Sequence, residues 1–382
     1  MTTEEYIESF LPSREQVALF LTKATPEALQ PNRGWTHDPE LGWVHDDAVH
    51  DGDGVNGTRT YYSYEEDGAR GVLQFADQPC RLHTYGNSFT HCDQVNNGET
   101  WQEYLAGHLG EPVRNYGVGG YSVYQAYRRM RKIHREGRHI ADHIILNIYD
   151  DDHFRNLDSW RRVRFGRSTS CGFTLPHLRV NVEKGECIEN DNMLADPDDV
   201  YKLCDKEWSI EAFKDDPVLA LVLATKAAAE EAQDLEPVAV SFGLPADQVS
   251  NDEAGVAIRK LHTEAALFAT KNVVELTEQF VEETGKKMMI VLSFNRSNMR
   301  LALQGEPGFD DSFVKYLSTK TYPVVDMRGC FAADYATSKL DPDDYLLRYY
   351  NGHHSPAGNF FAAWALKDQV VEWMEPKPRP FV

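Results

Sequence analysis

Four short stretches of this chain gather residue types that can do chemistry. The first is Gly86-Asn87-Ser88-Phe89-Thr90. A glycine after a strand allows a tight turn, and a serine at such a corner keeps its hydroxyl free for nucleophilic work. In the second, Asn115-Tyr116-Gly117-Val118-Gly119-Gly120-Tyr121-Ser122, three glycines leave backbone N–H groups uncovered just before a helix. Such groups suit an anion, and the spacing matches neither the dinucleotide nor the P-loop pattern. The third, Asp150-Asp151-Asp152-His153, crowds carboxylates that need solvent, partners or a cation to remain ionised together. The fourth runs from Tyr349 to Asn359 and places His353 and His354 in the turn that opens the last helix.

Something must bring these stretches to one edge, and the hydrophobic pattern supplies it. Arg81–Tyr85, Val113–Tyr116, His143–Tyr149, Met288–Phe294 and Pro323–Asp326 read as strands. Thr100–Leu109, Ser122–Arg138, Ala254–Thr284 (closed by Gly285) and Asn359–Trp373 read as helices. Strands alternating with helices, the central strands nearly all apolar, predict an α/β fold in which helices cover both faces of a parallel sheet. In that architecture ligands collect at the carboxyl ends of the strands, where the four stretches lie.

Two regions stand outside the alternation. Residues 1–78 read as an N-terminal extension packed on the core, with a helix over about 3–24 and β-like runs such as Thr58–Tyr64. Residues 79–382 read as the main domain, interrupted at about 156–251. That interruption is too long for an ordinary loop. It holds a candidate hairpin within Cys171–Glu186 and a helix around Val218–Asp234, and is expected to form a partly helical cover beside the site.

Composition narrows the function classes. The 382 residues are 42% hydrophobic and 26% charged, which favours a packed core over disorder. The net charge of −21 repels nucleic acid and anionic lipid. The basic run Arg128–Arg138 reads as a solvated helix face. No apolar run is long enough for a transmembrane helix, and the acidic start lacks the basic and apolar regions of a secretory signal. Cys80, Cys92, Cys171, Cys187, Cys204 and Cys330 are scattered, as expected for reduced thiols in the cytoplasm. No cofactor is expected.

Taken in chain order, the four stretches resemble the blocks of the SGNH (GDSL-like) hydrolase family, and the likeness spans most of the chain. Tyr85-Gly86-Asn87-Ser88-Phe89-Thr90 resembles the Gly-Asp-Ser block with Asn for Asp, and Gly120 matches the oxyanion-hole glycine of the second block. Asn147–Asp152 stands for the Gly-x-Asn-Asp block, while His353, Ser355 and Gly358 fit the spacing of the last block. Leu41-Gly42-Trp43-Val44, Gly68-Ala69-Arg70-Gly71 and Pro323-Val324-Val325-Asp326 resemble segments of longer members. The resemblance implies a three-layer α/β/α, flavodoxin-like fold with a five-stranded parallel sheet. It also implies a serine hydrolase acting on a small acyl ester, with an O-acetylated sugar as the first candidate.

In that scheme Ser88 is the nucleophile and His353 its base, Ser88, Gly120 and Asp151 form the oxyanion hole, and Asn87 and His354 bind substrate. Two positions depart from the pattern. Asp150 or Asp151 stands where the family has an oxyanion Asn, and Asn351 stands where it has the triad acid. An Asn can accept the imidazole N–H and fix its tautomer without offsetting its charge. Asp343, Asp344 and the Asp150–Asp152 group are the other carboxylates in reach along the chain. Three alternatives stay open: acyl transfer to a sugar, metal-dependent ester chemistry at Asp150, Asp151, Asp152 and His153, and a non-catalytic binding protein.

Overall fold

Five parallel strands form the central sheet: β1 (Leu82–Tyr85), β2 (Val113–Asn115), β3 (His143–Tyr149), β4 (Lys287–Ser293) and β5 (Val324–Asp326). The computed structural model describes residues 1–22, 34–168, 172–227, 235–245 and 254–381. The sheet order is β5-β4-β3-β1-β2, so the connections run one way from β1 to β2 and then reverse to β3. In such sheets the crevice at the carboxyl ends of the two strands flanking the reversal is the natural ligand site. β3 and β4 pair in register from His143 with Lys287 to Tyr149 with Ser293. Every residue of β3 but the last, and of β4 but the first, is buried, which is why both read as continuous apolar runs. Each fully buried Ile or Leu there contributes roughly 1.5–3 kcal/mol.

Local chemistry sets the helix boundaries. Thr100 caps Trp101–Leu109, and Gly110 ends it at φ +70°. Ser122 and Gln125 form a capping box for Val123–Glu136. Ser355 Oγ accepts from Gly358 N (3.2 Å), and Pro356 occupies the first position of the closing helix Pro356–Trp373. That cap anchors the turn carrying His353.

The described residues divide into two compact units, and the division differs from the expected boundaries. One unit comprises residues 1–22, 35–44 and 153–274, so the N-terminal helices belong with the interrupting region rather than with residues 45–78. The other comprises residue 34 with residues 45–152 and 275–381 and contains the sheet. Within the first unit, the Tyr6 hydroxyl donates to Val163 O (3.0 Å) and Phe10 packs edge-on against Trp160 (5.1 Å). The helix expected over about 3–24 is two helices, Thr3–Glu8 and Arg14–Leu21, split at Pro12 and restarted by the Ser13 cap. The hairpin lies later than expected, pairing His177–Asn181 with Glu186–Asn190, while Cys171 lies outside the described residues. The helix expected around Val218–Asp234 is Pro217–Ala227, with residues 228–234 outside the described set.

The basic run needs one correction. Arg129 is buried and donates to Gly68 O (2.7 Å), because the inner face of its helix meets the Gly68 turn. Among the described residues no helix is long and apolar enough to cross a membrane, and all five described cysteines are free thiols.

Candidate active site

Asn87 closes the turn after β1. Its side-chain oxygen accepts from Phe89 N (2.8 Å), and its amide nitrogen donates to Asp152 Oδ1 (2.8 Å). The short helix Ser88–His91 thus starts at a fixed angle with Ser88 at its first position. Fully buried and doubly engaged, Asn87 builds the corner and does not bind substrate. The Ser88 hydroxyl lies 2.8 Å from His353 Nε2. Two residues separated by 265 positions in sequence therefore meet in hydrogen-bond geometry, as the first and last blocks predict.

The group that orients the imidazole is Gln94, not Asn351. Gln94 Oε1 accepts from the backbone N–H of His353 (2.8 Å) and lies 3.1 Å from His353 Nδ1. A backbone N–H can only donate, so the atom facing it must be the amide oxygen. The Gln94 amide nitrogen agrees, donating to Asp53 O (3.2 Å). An oxygen acceptor at Nδ1 requires the ring proton there, which leaves Nε2 bare to receive the Ser88 proton. That is the tautomer a general base needs. Asn351 instead directs its amide nitrogen at Asp53 O (3.5 Å), pairing with His353 only through the backbone of a two-residue ladder. Gly352 makes that ladder possible: at φ +83°, a Cβ there would sit 2.6 Å from Gln94 Oε1.

Asp343 and Asp344 are not at the imidazole either. Both lie in the exposed first turn of Pro342–Leu346, under the Asp341 cap. Gln94 and Cys92 are both non-glycine residues with positive φ, +72° and +65°, on either side of Asp93. Strained backbone of this kind persists where surrounding bonds over-determine it. Here the Arg70 guanidinium donates to the carbonyls of His91, Cys92 (2.7 Å) and Val95, and the Tyr62 hydroxyl accepts from Gln94 N (2.7 Å).

A buried polar layer lies behind this loop. His91 Nδ1 donates to Asp93, and its Nε2 receives the Tyr64 hydroxyl (2.6 Å). Burial, reinforced by Arg70, lowers the His91 pKa to about 4, so the ring is neutral at pH 7. Burial opposes ionisation of Asp93, yet His91 above all, with His353 and His45, holds its carboxyl below the usual carboxylate range. The chain therefore places an anion near His353 even though Gln94 is neutral.

The glycine loop after β2 accounts for nearly all of its backbone donors. Tyr116 N reaches Thr84 O (2.9 Å), Val118 N reaches Gly86 O (3.1 Å) and Tyr121 N reaches Val118 O (3.1 Å). Gly117 N donates to Asn115 Oδ1 (2.9 Å) and Gly119 N to His45 Nε2 (2.9 Å). Among the described residues the Gly120 N–H meets no acceptor, and neither does the Ser88 N–H. A loop that satisfies its other donors and leaves one spare is how a protein presents a hydrogen bond to a developing anion.

The aspartate turn does something else. Asp150 Oδ2 accepts from Asn295 N (3.1 Å) and Asn298 Nδ2 (2.7 Å), and Asp152 accepts from Asn87 and from Tyr149 N (3.1 Å). These carboxylates tie strand ends together. Within the other unit, His153 Nδ1 lies 2.9 Å from Thr270 Oγ1. Among the described residues, no group of converging metal-ligand atoms includes Asp150, Asp151, Asp152 or His153, and an ionised Asp151 carries no donor for an oxyanion.

His354 is a core residue. It is buried against Phe89 (4.9 Å) and Tyr350 (4.9 Å), with its pKa lowered to about 3 by burial, the placement of a packing residue. Among the described residues, the one group of potential metal ligands close enough together is His45, His91 and Asp93. Its two imidazoles stack face to face (4.2 Å, 4°), so their lone pairs run parallel instead of converging on one ion. His45 Nε2 and both His91 nitrogens are also already engaged. The trio is a hydrogen-bonded support, not a cation cage.

Ser88 and His353, both singled out from the sequence, meet in the fold, whereas Gln94, Asp93, His91 and His45 beside them were not singled out. The signal available was the run His91-Cys92-Asp93-Gln94, dense in polar groups directly after the Ser88 turn. No protein-family model matches the chain, and no curated protein matches it.

Proposed function

We propose that this chain is a serine hydrolase cleaving a small acyl ester, of SGNH (GDSL-like) character and with that family's three-layer α/β/α arrangement. The observation that carries the reading is the 2.8 Å contact between Ser88 Oγ and a His353 Nε2 whose tautomer Gln94 fixes. His353 Nε2 takes the Ser88 proton as Oγ attacks the ester carbonyl carbon. The Ser88 and Gly120 N–H groups receive the oxyanion. The imidazolium then returns its proton to the departing alcohol, leaving an acyl-serine. A water deprotonated by the same nitrogen releases the acid and restores Ser88. Gln94 holds the ring without adding a charge of its own, while the Asp93 carboxylate lowers the cost of the imidazolium from nearby.

The test is direct. A fluorophosphonate probe should label wild-type protein, and Ser88→Ala should abolish both labelling and hydrolysis of p-nitrophenyl acetate with little change in melting temperature. Absence of labelling in folded wild-type protein would favour the non-catalytic reading. Hydrolysis that survives Ser88→Ala would require another nucleophile.

A further inference from the structure

We infer that His45, which lies outside all four sequence blocks, is a positioning residue for the oxyanion loop; this rests on the serine-hydrolase reading above. The loop Gly117–Gly120 can point only so many N–H groups at a substrate. Which one it offers depends on where the others are tied. Gly119 precedes the spare donor, and its N–H is drawn away to His45 Nε2 (2.9 Å). If that acceptor is lost, Gly119 can turn and the peptide linking it to Gly120 rotates with it. The Gly120 N–H then swings off the position where negative charge develops.

The donor at Gly119 is a backbone N–H, so His45 Nε2 must be bare. The structure provides for this in three ways. His45 is half-buried, its ring stacks flat on neutral His91 at 4.2 Å, and the Tyr64 ring lies parallel at 5.6 Å. His91 is itself pinned between the Tyr64 hydroxyl and Asp93, so the stack is a rigid shelf rather than a loose contact. The same shelf underlies the loop that carries Gln94, because Arg70 gathers the carbonyls of His91, Cys92 and Val95. On the other side of the nucleophile helix, Gly117 lies so close to the Thr90–His91 backbone that any Cβ would collide with it. Glycine loop, nucleophile helix and Gln94 loop thus share one support, in which His45 supplies an acceptor that turns the Gly119 N–H.

The test compares wild type with Ser88→Ala, His45→Phe and His45→Gln, using p-nitrophenyl acetate turnover and the rate of fluorophosphonate labelling. Phe keeps a flat ring and removes the acceptor, whereas Gln keeps an acceptor and removes the ring. His45→Phe should lower kcat and labelling rate about 10- to 100-fold with KM within about twofold, since the lost interaction belongs to the transition state. His45→Gln should recover most of that loss. If the Phe protein does not fold, His45→Met takes its place in the same comparison. A Phe or Met variant as fast as wild type, or a Gln variant no better than either, overturns the inference while Ser88→Ala still abolishes labelling. Failure of wild type to label overturns the Ser88 reading and this inference together.

Discussion

The Asp150–Asp152 turn and the segment from His45 to Gly71 exchange the roles their sequences suggest. The turn concentrates charge at the end of an apolar strand and looks like chemistry, yet its carboxylates accept hydrogen bonds from Asn87, Tyr149, Asn295 and Asn298. The segment looks like part of an extension. It nevertheless supplies His45 to the glycine loop, Asp53 and Tyr62 to Gln94, Tyr64 to His91 and Arg70 to the carbonyls behind them. The lesson is about satisfaction. A carboxylate that accepts from amides on neighbouring strand ends is a fastener. A neutral side chain that dictates a neighbour's tautomer or the facing of a peptide shapes chemistry without touching substrate.

The largest effect expected from this contrast falls on Gln94. Gln94→Met removes the acceptor for both N–H groups of His353 and frees the ring to take the wrong tautomer. We expect kcat to fall about 10²- to 10⁴-fold with the protein still folded, by analogy with the loss of an orienting triad member. Steady-state kinetics beside a thermal melt checks this, and a loss of less than about fivefold would return the orienting role to another group.

Acid should act next on two buried imidazoles. His91 and His354 are neutral in the fold because burial lowers their pKa values to about 4 and about 3, against roughly 6.5 in an unfolded chain. As pH falls below about 6.5 the unfolded state binds protons that the folded state refuses. The stability these groups contribute is therefore present above about 6.5 and lost as pH drops towards 4. Between pH 6.5 and 5 each should cost roughly 2 kcal/mol. Denaturant midpoints across that range should show the decline, and His354→Phe should flatten it. An equally steep profile in that variant would assign the acid sensitivity elsewhere.

The smallest effects belong where the sequence points most insistently. Asn351→Asp should change kcat by less than about twofold, because the Asn351 amide faces Asp53 O and not the imidazole. Asp150→Asn should leave kcat within about threefold and cost about 1 kcal/mol of stability through its weakened bonds to Asn295 and Asn298. A tenfold gain from Asn351→Asp would restore it as a triad position. A collapse of kcat in Asp150→Asn would restore the aspartate turn to the chemistry.

Much of the fold and part of the site are legible in the sequence. β3 comes out with the predicted bounds because six of its seven residues are buried and most of them are apolar, and the long helix keeps its predicted end at Thr284. Ser88, Gly120 and His353 are readable because strand–turn chemistry leaves local marks: a glycine where φ is positive, a serine at a corner, a proline opening a helix. Gln94 and His45 leave no such mark. A Gln two positions beyond a left-handed Cys, or a His at the end of a short strand, acquires meaning only from what faces it. Here the facing groups are a backbone N–H 259 residues away and another 74 residues away. Periodicity and turn residues are dictated by each segment's own burial and dihedral angles, so the sequence alone determined the strands, the helices and the Ser88 corner. The identity of the imidazole's partner, the neutrality of His45 and the fastening role of the aspartates depend on desolvation and on donors from distant segments, and only the tertiary structure decided them.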